Sequence, residues 1–137
     1  MTDSAKLVPV QTNPFNAETP IQALSEPITP TTLVYVRNHF DVPKIDLEAW
    51  RLVIDGMVER PLRITLSDLQ DLPHRQMVVT LECAGNGRTL MAPVPSGTPW
   101  RLGAVSTVRV TGTSLYHVLE RAKTKSDAIE ILFVGAD

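Results

Sequence analysis

Leu81-Glu82-Cys83-Ala84-Gly85-Asn86-Gly87-Arg88 is the most informative stretch of this sequence. Its first residue, Leu81, is the last residue of the apolar run 77–81. That run predicts a buried strand that delivers Glu82 and Cys83 at its end. Gly85 and Gly87 permit positive φ angles and a close approach of the backbone. Because Arg88 follows Cys83 by five residues, its positive charge would favour the thiolate of that cysteine. A thiolate is the form that a soft metal centre or a covalent catalyst requires.

Other interpretations of this stretch make different demands on the sequence. A lone cysteine in a reducing compartment is commonly a small buried hydrophobe. A dinucleotide site is excluded, because Leu90 stands at the third glycine position and no acidic residue follows about 20 residues later. A thiol nucleophile needs a histidine partner, and none of the three histidines has a diagnostic spacing: His39, His74 and His117.

A second polar cluster, Arg37-Asn38-His39, directly follows the β-prone run 33–36. The simplest interpretation is an ordinary solvated turn. The functional interpretation is an anion site, in which the Arg37 guanidinium acts as a forked donor and the His39 imidazole as a second donor.

The remaining sequence predicts an α+β fold rich in strands. Residues 1–30 contain five of the eleven prolines and are expected to form an irregular arm. Strands are predicted at 52–54, at 62–66 after an Asp55-Gly56 turn, and at 129–134. A short helix over 67–72 would begin at Ser67, and an amphipathic helix over 115–122 would begin after Thr113 or Ser114. The long stretch from Cys83 to Pro99 predicts a loop.

Composition excludes several functional classes. Hydrophobic residues make up 43% and charged residues 20%, which rules out wholesale disorder. The net charge of -2 argues against nucleic-acid binding by bulk charge. A single cysteine excludes a disulfide framework, and the lack of a long apolar run predicts no membrane partner. Residues 1–4 carry no export signal, so we expect a cytoplasmic location, or a periplasmic one if a signal was removed.

Three blocks of the sequence resemble successive signatures of the sulfite oxidase family, the molybdopterin-dependent enzymes that include sulfite oxidases and assimilatory nitrate reductases. The blocks occupy residues 35–43, 81–88 and 103–107, in the order of the family. The resemblance implies a mixed, β-rich molybdopterin-binding domain of the sulfite oxidase type. Residues 31–137 would be its first part, and the domain would be incomplete at the C-terminus.

The resemblance also implies roles for individual residues. Cys83 matches the cysteine that ligates molybdenum, and Arg37 and Arg88 match arginines of the basic substrate pocket. The predicted catalytic residues are therefore Cys83, Arg37 and Arg88. The residues expected to bind the molybdenum–molybdopterin cofactor are Tyr35, Val36, Arg37, Asn38, His39, Cys83 and Asp137.

The implied activity is oxo transfer to or from a small oxyanion such as sulfite. Electrons would pass to an external acceptor such as cytochrome c or another haem protein, and a homodimer is expected if a C-terminal domain follows. Two alternatives remain open from the sequence. One is a truncated, non-catalytic remnant or interaction module that binds no cofactor, and the other is a thiol nucleophile enzyme.

Overall fold

Short antiparallel strand pairs provide most of the regular structure of this protein. A computed structural model describes residues 6–136. These residues form two compact units, 6–42 with 77–110 and 43–76 with 111–136. The described residues contain six strands and two α-helices, in agreement with the predicted α+β class.

The first unit begins with a hairpin that the sequence did not predict. Strands β1 (Val8–Thr12) and β2 (Phe15–Glu18) pair antiparallel, with an irregular register between Pro9 and Gln11. The prediction of an irregular arm over residues 1–30 was therefore wrong for this segment. Proline is tolerated in a strand at an edge or a bulge, and Pro9 lies at such an irregularity. The end of the hairpin is buried, since Ala17 is 0% exposed.

The β-prone run 33–36 forms less structure than predicted. Residues Thr31–Leu33 make a short 3-10 helix after Pro30, and only Val36 is paired, in an isolated bridge with Ala17. The predicted strand is thus reduced to one bridge. Because β2 ends at Glu18, directly after Ala17, it offers the run 33–36 no further residues to pair with.

Strands β5 (His74–Glu82) and β6 (Val105–Thr113) form a two-stranded ribbon. The hydroxyl groups of Thr80 and Thr107 meet at 2.9 Å across the pair. The strand predicted at 77–81 is confirmed, but its predicted burial was wrong, since Met77 and Val78 are 47% and 56% exposed. Among the described residues β5 pairs only with β6.

In the second unit, β3 (Leu52–Ile54) and β4 (Leu62–Ile64) form the predicted hairpin. Helix α1 (Leu66–Gln70) follows, but Thr65 begins it rather than Ser67. The Thr65 hydroxyl accepts a hydrogen bond from the Asp68 N–H at 3.0 Å, and the Asp68 carboxylate accepts one from the Thr65 N–H at 3.0 Å. This reciprocal capping box fixes the helix start.

Helix α2 (Leu115–Ala122) confirms the amphipathic prediction, with Ser114 as its N-cap and Val118 and Ala122 buried. The strand predicted at 129–134 was wrong, because residues 129–134 have no regular structure. Ile129 and Leu132 are 90% and 88% exposed. A strand requires a hydrogen-bonded neighbour, and this run has none among residues 6–136.

Candidate active site

A cavity of about 600 Å³ in the first unit collects most of the predicted site residues. Its lining includes Arg37, Asn38, His39, Cys83 and Arg88. Residues more than 40 positions apart in the sequence therefore face one space. The other lining residues are Gln11, Pro14, Gly97, Thr98, Pro99 and Trp100.

Cys83 is half-buried and follows the last residue of β5. Its N–H donates to the carbonyl of Ala104 at 2.9 Å, and its carbonyl accepts from the N–H of Asn86 at 2.8 Å. The Asn86 side chain in turn accepts from the Ala104 N–H at 3.0 Å and donates to Glu82 at 2.9 Å. The backbone on both sides of the thiol is therefore held in place.

Arg88 opens a short 3-10 helix, Arg88–Leu90, directly after Gly87, whose φ of 78° favours glycine. Its guanidinium packs against two further glycines. A Cβ atom at Gly85 would lie 2.7 Å from Nη2, and one at Gly97 would lie 3.0 Å from Nη1. Nη1 donates to the carbonyl of Ser96, whereas Nε is buried and has no acceptor among the described residues. The glycines thus form a cradle for a guanidinium that retains a free donor.

The charged groups that line the cavity are all basic. Arg37 and Arg88 are cations, His39 is the only histidine of the lining, and none of the described lining residues is Asp or Glu. Arg37 and His39 are exposed, so their donors are accessible from solvent. An anion is the ligand that this set of groups suits.

Three predicted cofactor residues do not line the cavity or are not described. Val36 is tied by its backbone to Ala17. The Tyr35 ring packs edge-on against Trp100, with 6.3 Å between ring centroids. Burial raises the pKa of the Tyr35 phenol, and the nearby Cys83 and Glu82 groups raise it further. Asp137 lies outside the described residues.

Sequence reasoning missed the six other lining residues, none of which carries a charge. Trp100 offered a signal, since a tryptophan that ends a long proline-rich loop is a natural pocket wall; it is buried to 1% exposure. Gln11 offered none, because it lies in the segment interpreted as an irregular arm. Its Oε1 accepts from Thr98 at 3.4 Å, which places the hairpin at the rim of the cavity.

The donor set of the cavity fits a molybdenum–molybdopterin cofactor. Cys83 supplies a soft sulfur ligand, and the buried Arg88 Nε supplies a donor in need of an acceptor. Within residues 6–136 no three His, Cys, Asp or Glu side chains are grouped to hold a metal ion. No helix of the same residues is both long and apolar enough to cross a bilayer.

Comparison with known proteins finds relatives that belong to the molybdopterin-dependent oxidoreductases. Residues 39–137 match the family described as oxidoreductase molybdopterin binding domain. The chain is 42% identical to sulfite oxidase of Gallus gallus over 80% of this chain and 25% of the relative. It is 41% identical to nitrate reductase [NADH] 2 of Phaseolus vulgaris over 91% of this chain and 15% of the relative.

Among solved structures, the fold matches the sulfane dehydrogenase SoxCD from Paracoccus pantotrophus with a TM-score of 0.72 and 26% identity. That match covers 92% of this chain and 32% of the other. The chain thus spans a quarter or less of the length of the curated relatives named above. The resemblance seen in the sequence is confirmed, and the chain belongs to the oxidoreductase molybdopterin-binding domain family.

Proposed function

We propose that this chain forms part of the cofactor and substrate site of a sulfite-oxidase-type oxidoreductase that acts on a small oxyanion such as sulfite. The observation that carries the proposal is the shared cavity of Cys83, Arg37, His39 and Arg88, whose described lining contains no carboxylate. Relatives named sulfite oxidase and nitrate reductase support the same chemical class.

Cys83 is the proposed ligand of molybdenum. Its backbone is held on both sides at the end of a strand, so the thiol starts from a fixed position, which favours a metal ligand. When bound, the molybdenum cofactor supplies the two-electron oxo-transfer chemistry, while the protein binds and orients the oxyanion substrate. Asn38 and His39 are proposed to donate hydrogen bonds to the pterin from the cavity wall. Tyr35, Val36 and Asp137 remain proposed cofactor contacts on the basis of the family resemblance.

Arg37 and Arg88 are the proposed oxyanion-binding residues. A guanidinium offers planar, forked donors that match the oxygens of a sulfite-like anion. The Gly85–Gly97 cradle holds the Arg88 fork before any substrate arrives, so little conformational entropy is lost on binding. Trp100 closes one side of the space with an apolar surface that excludes water. Electrons released by the reaction would pass to an external acceptor, for which a haem protein is the proposed class.

The proposal is tested by Cys83→Ser in the native protein that carries this chain, expressed with the molybdenum cofactor. We expect sulfite-dependent reduction of ferricyanide or cytochrome c to be lost, because a hydroxyl oxygen is a harder and poorer substitute for the thiolate. Ala84→Ser is the matched control, since it adds a hydroxyl at the adjacent exposed position. Normal turnover by Cys83→Ser contradicts the assignment. A wild-type protein that takes up no molybdenum would support the non-catalytic remnant instead.

A further inference from the structure

Strand β2 and the residue after it are hydrogen-bonded next to two segments that line the cavity. We call residues 37–39 the first wall and residues 97–100 the second wall. Ala17 exchanges two backbone hydrogen bonds with Val36, at 3.0 and 2.8 Å, just before the first wall. Thr19 donates to the carbonyl of Gly103 at 2.9 Å, just after the second wall. Strand β2 and Thr19, the residue that follows it, are therefore bonded next to both.

Asn16 on β2 holds the first wall through its side chain. It is completely buried, at 0% exposure. Its Oδ1 accepts from the N–H of Asn38 at 2.6 Å, and its Nδ2 donates to the carbonyl of Asn38 at 3.2 Å. Both backbone polar atoms of the middle residue of the wall are thus bonded to one amide. Because Arg37 and His39 flank that residue, the amide sets where their side chains start.

Glu18, two residues further along β2, holds the end of the second wall. It is 4% exposed, and its Oε1 accepts from the backbone N–H groups of Arg101 and Gly103. A Cβ atom at Gly103 would lie 2.7 Å from the Glu18 Cβ, so the contact requires glycine. The carboxylate makes no ion pair with any described residue, and these N–H groups stabilise its charge.

We infer that Asn16 and Glu18 are positioning residues that hold the two walls of the cavity in register. The inference rests on the proposed function, in which the first wall supplies Arg37 and the second supplies Trp100 to the substrate pocket. A buried amide and a buried carboxylate are costly to desolvate, and here every bond named ties β2 to a segment beside the cavity. The hairpin is thereby part of the active site although neither residue lines the cavity.

Amide hydrogen exchange in the cofactor-free native protein tests the inference without any activity. Asn16→Ala should accelerate exchange of the Asn38 amide about tenfold, the equivalent of one lost hydrogen bond. Glu18→Ala should do the same at the Arg101 and Gly103 amides. Glu18→Gln should largely restore protection, because it keeps an acceptor oxygen. Thr29→Val is the matched control, since it removes a buried hydrogen bond to the Thr107 N–H that lies outside the cavity lining.

Should the alanine variants fail to fold, the amide exchange rates of Asn16→Asp and Glu18→Gln are compared instead. Asn16→Asp keeps the acceptor for the Asn38 N–H but sets a carboxylate oxygen against the Asn38 carbonyl, so the first wall should still exchange faster. Acceleration spread equally over all strands, or no acceleration at the Asn38, Arg101 and Gly103 amides, overturns the inference.

Sulfite kinetics of the cofactor-loaded protein provide the second readout. Displaced walls should raise KM about tenfold while kcat changes by less than about twofold, because substrate binding depends on the walls more than the chemical step does. An active enzyme whose KM does not change in Asn16→Ala contradicts the positioning role. A loaded wild-type protein that does not use sulfite contradicts the proposed substrate, and the exchange pattern then still decides the role of Asn16 and Glu18.

Discussion

Arg88 illustrates how small residues prepare a charged one. Gly97 has a φ of +116°, which L side chains rarely adopt, and its open side is filled by the Arg88 guanidinium. The space that two glycines leave therefore determines where this positive charge is presented to the cavity. The same contact predicts what a single methyl group would do.

Gly97→Ala should weaken oxyanion binding, because a Cβ atom would lie 3.0 Å from Arg88 Nη1 and push the guanidinium away. We expect kcat/KM for sulfite to fall by about tenfold, equivalent to about 1.4 kcal/mol. Gly56→Ala is the control, since Gly56 also has a positive φ, +83°, but nothing lies within 4 Å of its Cβ position. Both variants should lose similar stability, and equal kinetic effects would refute the argument.

Tyr35 reports on the environment of Cys83. Burial raises the pKa of its phenol above the usual 10.0, and the neighbouring Cys83 and Glu82 contribute in the same direction. In the unfolded chain the phenol ionises first, so its contribution to stability is present below pH 10 and is lost as the pH rises through the folded pKa.

Ultraviolet titration of the phenols measures this pKa. The hydrogen bond to Glu120 also raises the pKa of Tyr116, so the measurement uses the Tyr116→Phe background. There the remaining phenol should titrate above free tyrosine. Adding Cys83→Ser should lower its pKa part of the way, since burial is the larger cause. A phenol that ionises like free tyrosine in both proteins would show that Tyr35 does not lie in this environment.

At the scale of elements, helix α1 depends on its N-cap residue, Thr65. Hydrogen bonds donated by the Thr65 hydroxyl and N–H to the Asp68 carboxylate lower the pKa of Asp68 below its usual 3.8. A lowered pKa means that the Asp68 contribution to stability is present above pH 3.8 and is lost as the pH falls through the folded value.

Thr65→Ala should therefore reduce the free energy of unfolding by about 1 kcal/mol at neutral pH. Ser67→Ala, at the residue that sequence reasoning took for the cap, should change it little, because the structure gives Ser67 no capping bond. Urea denaturation followed by circular dichroism measures both. A larger loss for Ser67→Ala would mean that the helix begins at Ser67.

At the scale of the whole molecule, the described chain exposes a run of apolar side chains. Ile129, Leu132, Phe133 and Val134 are 74% to 90% exposed. Contiguous apolar surface of this kind favours association. It lies in the run that the sequence pattern interpreted as a strand and that has no strand partner among the described residues.

The 137-residue chain by itself should accordingly self-associate. We also expect it to carry little molybdenum, because it spans a quarter or less of the length of the curated relatives named above. Leu132→Lys should shift it towards monomer, whereas Ser126→Lys, which adds the same charge at an exposed position outside the run, should not. Analytical ultracentrifugation and elemental analysis measure the two outcomes. A monodisperse monomer with stoichiometric molybdenum would contradict this prediction.

Local patterns alone determined much of this protein. The β3–β4 hairpin follows from alternation around a glycine turn, and α2 follows from apolar spacing after Ser114. The motifs around Arg37 and Cys83 identified the family and named five residues that line the cavity. These features can be predicted from the sequence because each is encoded by residues that are close together in the chain.

Tertiary structure alone decided the rest. The hairpin in the proline-rich segment is stabilised because Ala17 on β2 and Thr19 just after it bond to Val36 and Gly103, far along the chain. The run 129–134 has strand character but no strand partner within residues 6–136, and it forms no strand there. Gln11 lines the cavity, and Asn16 and Glu18 are bonded beside it; their contacts are with residues 22 to 87 positions away. Long-range pairing sets these outcomes, since a segment with ambiguous local preference adopts the structure its partners stabilise.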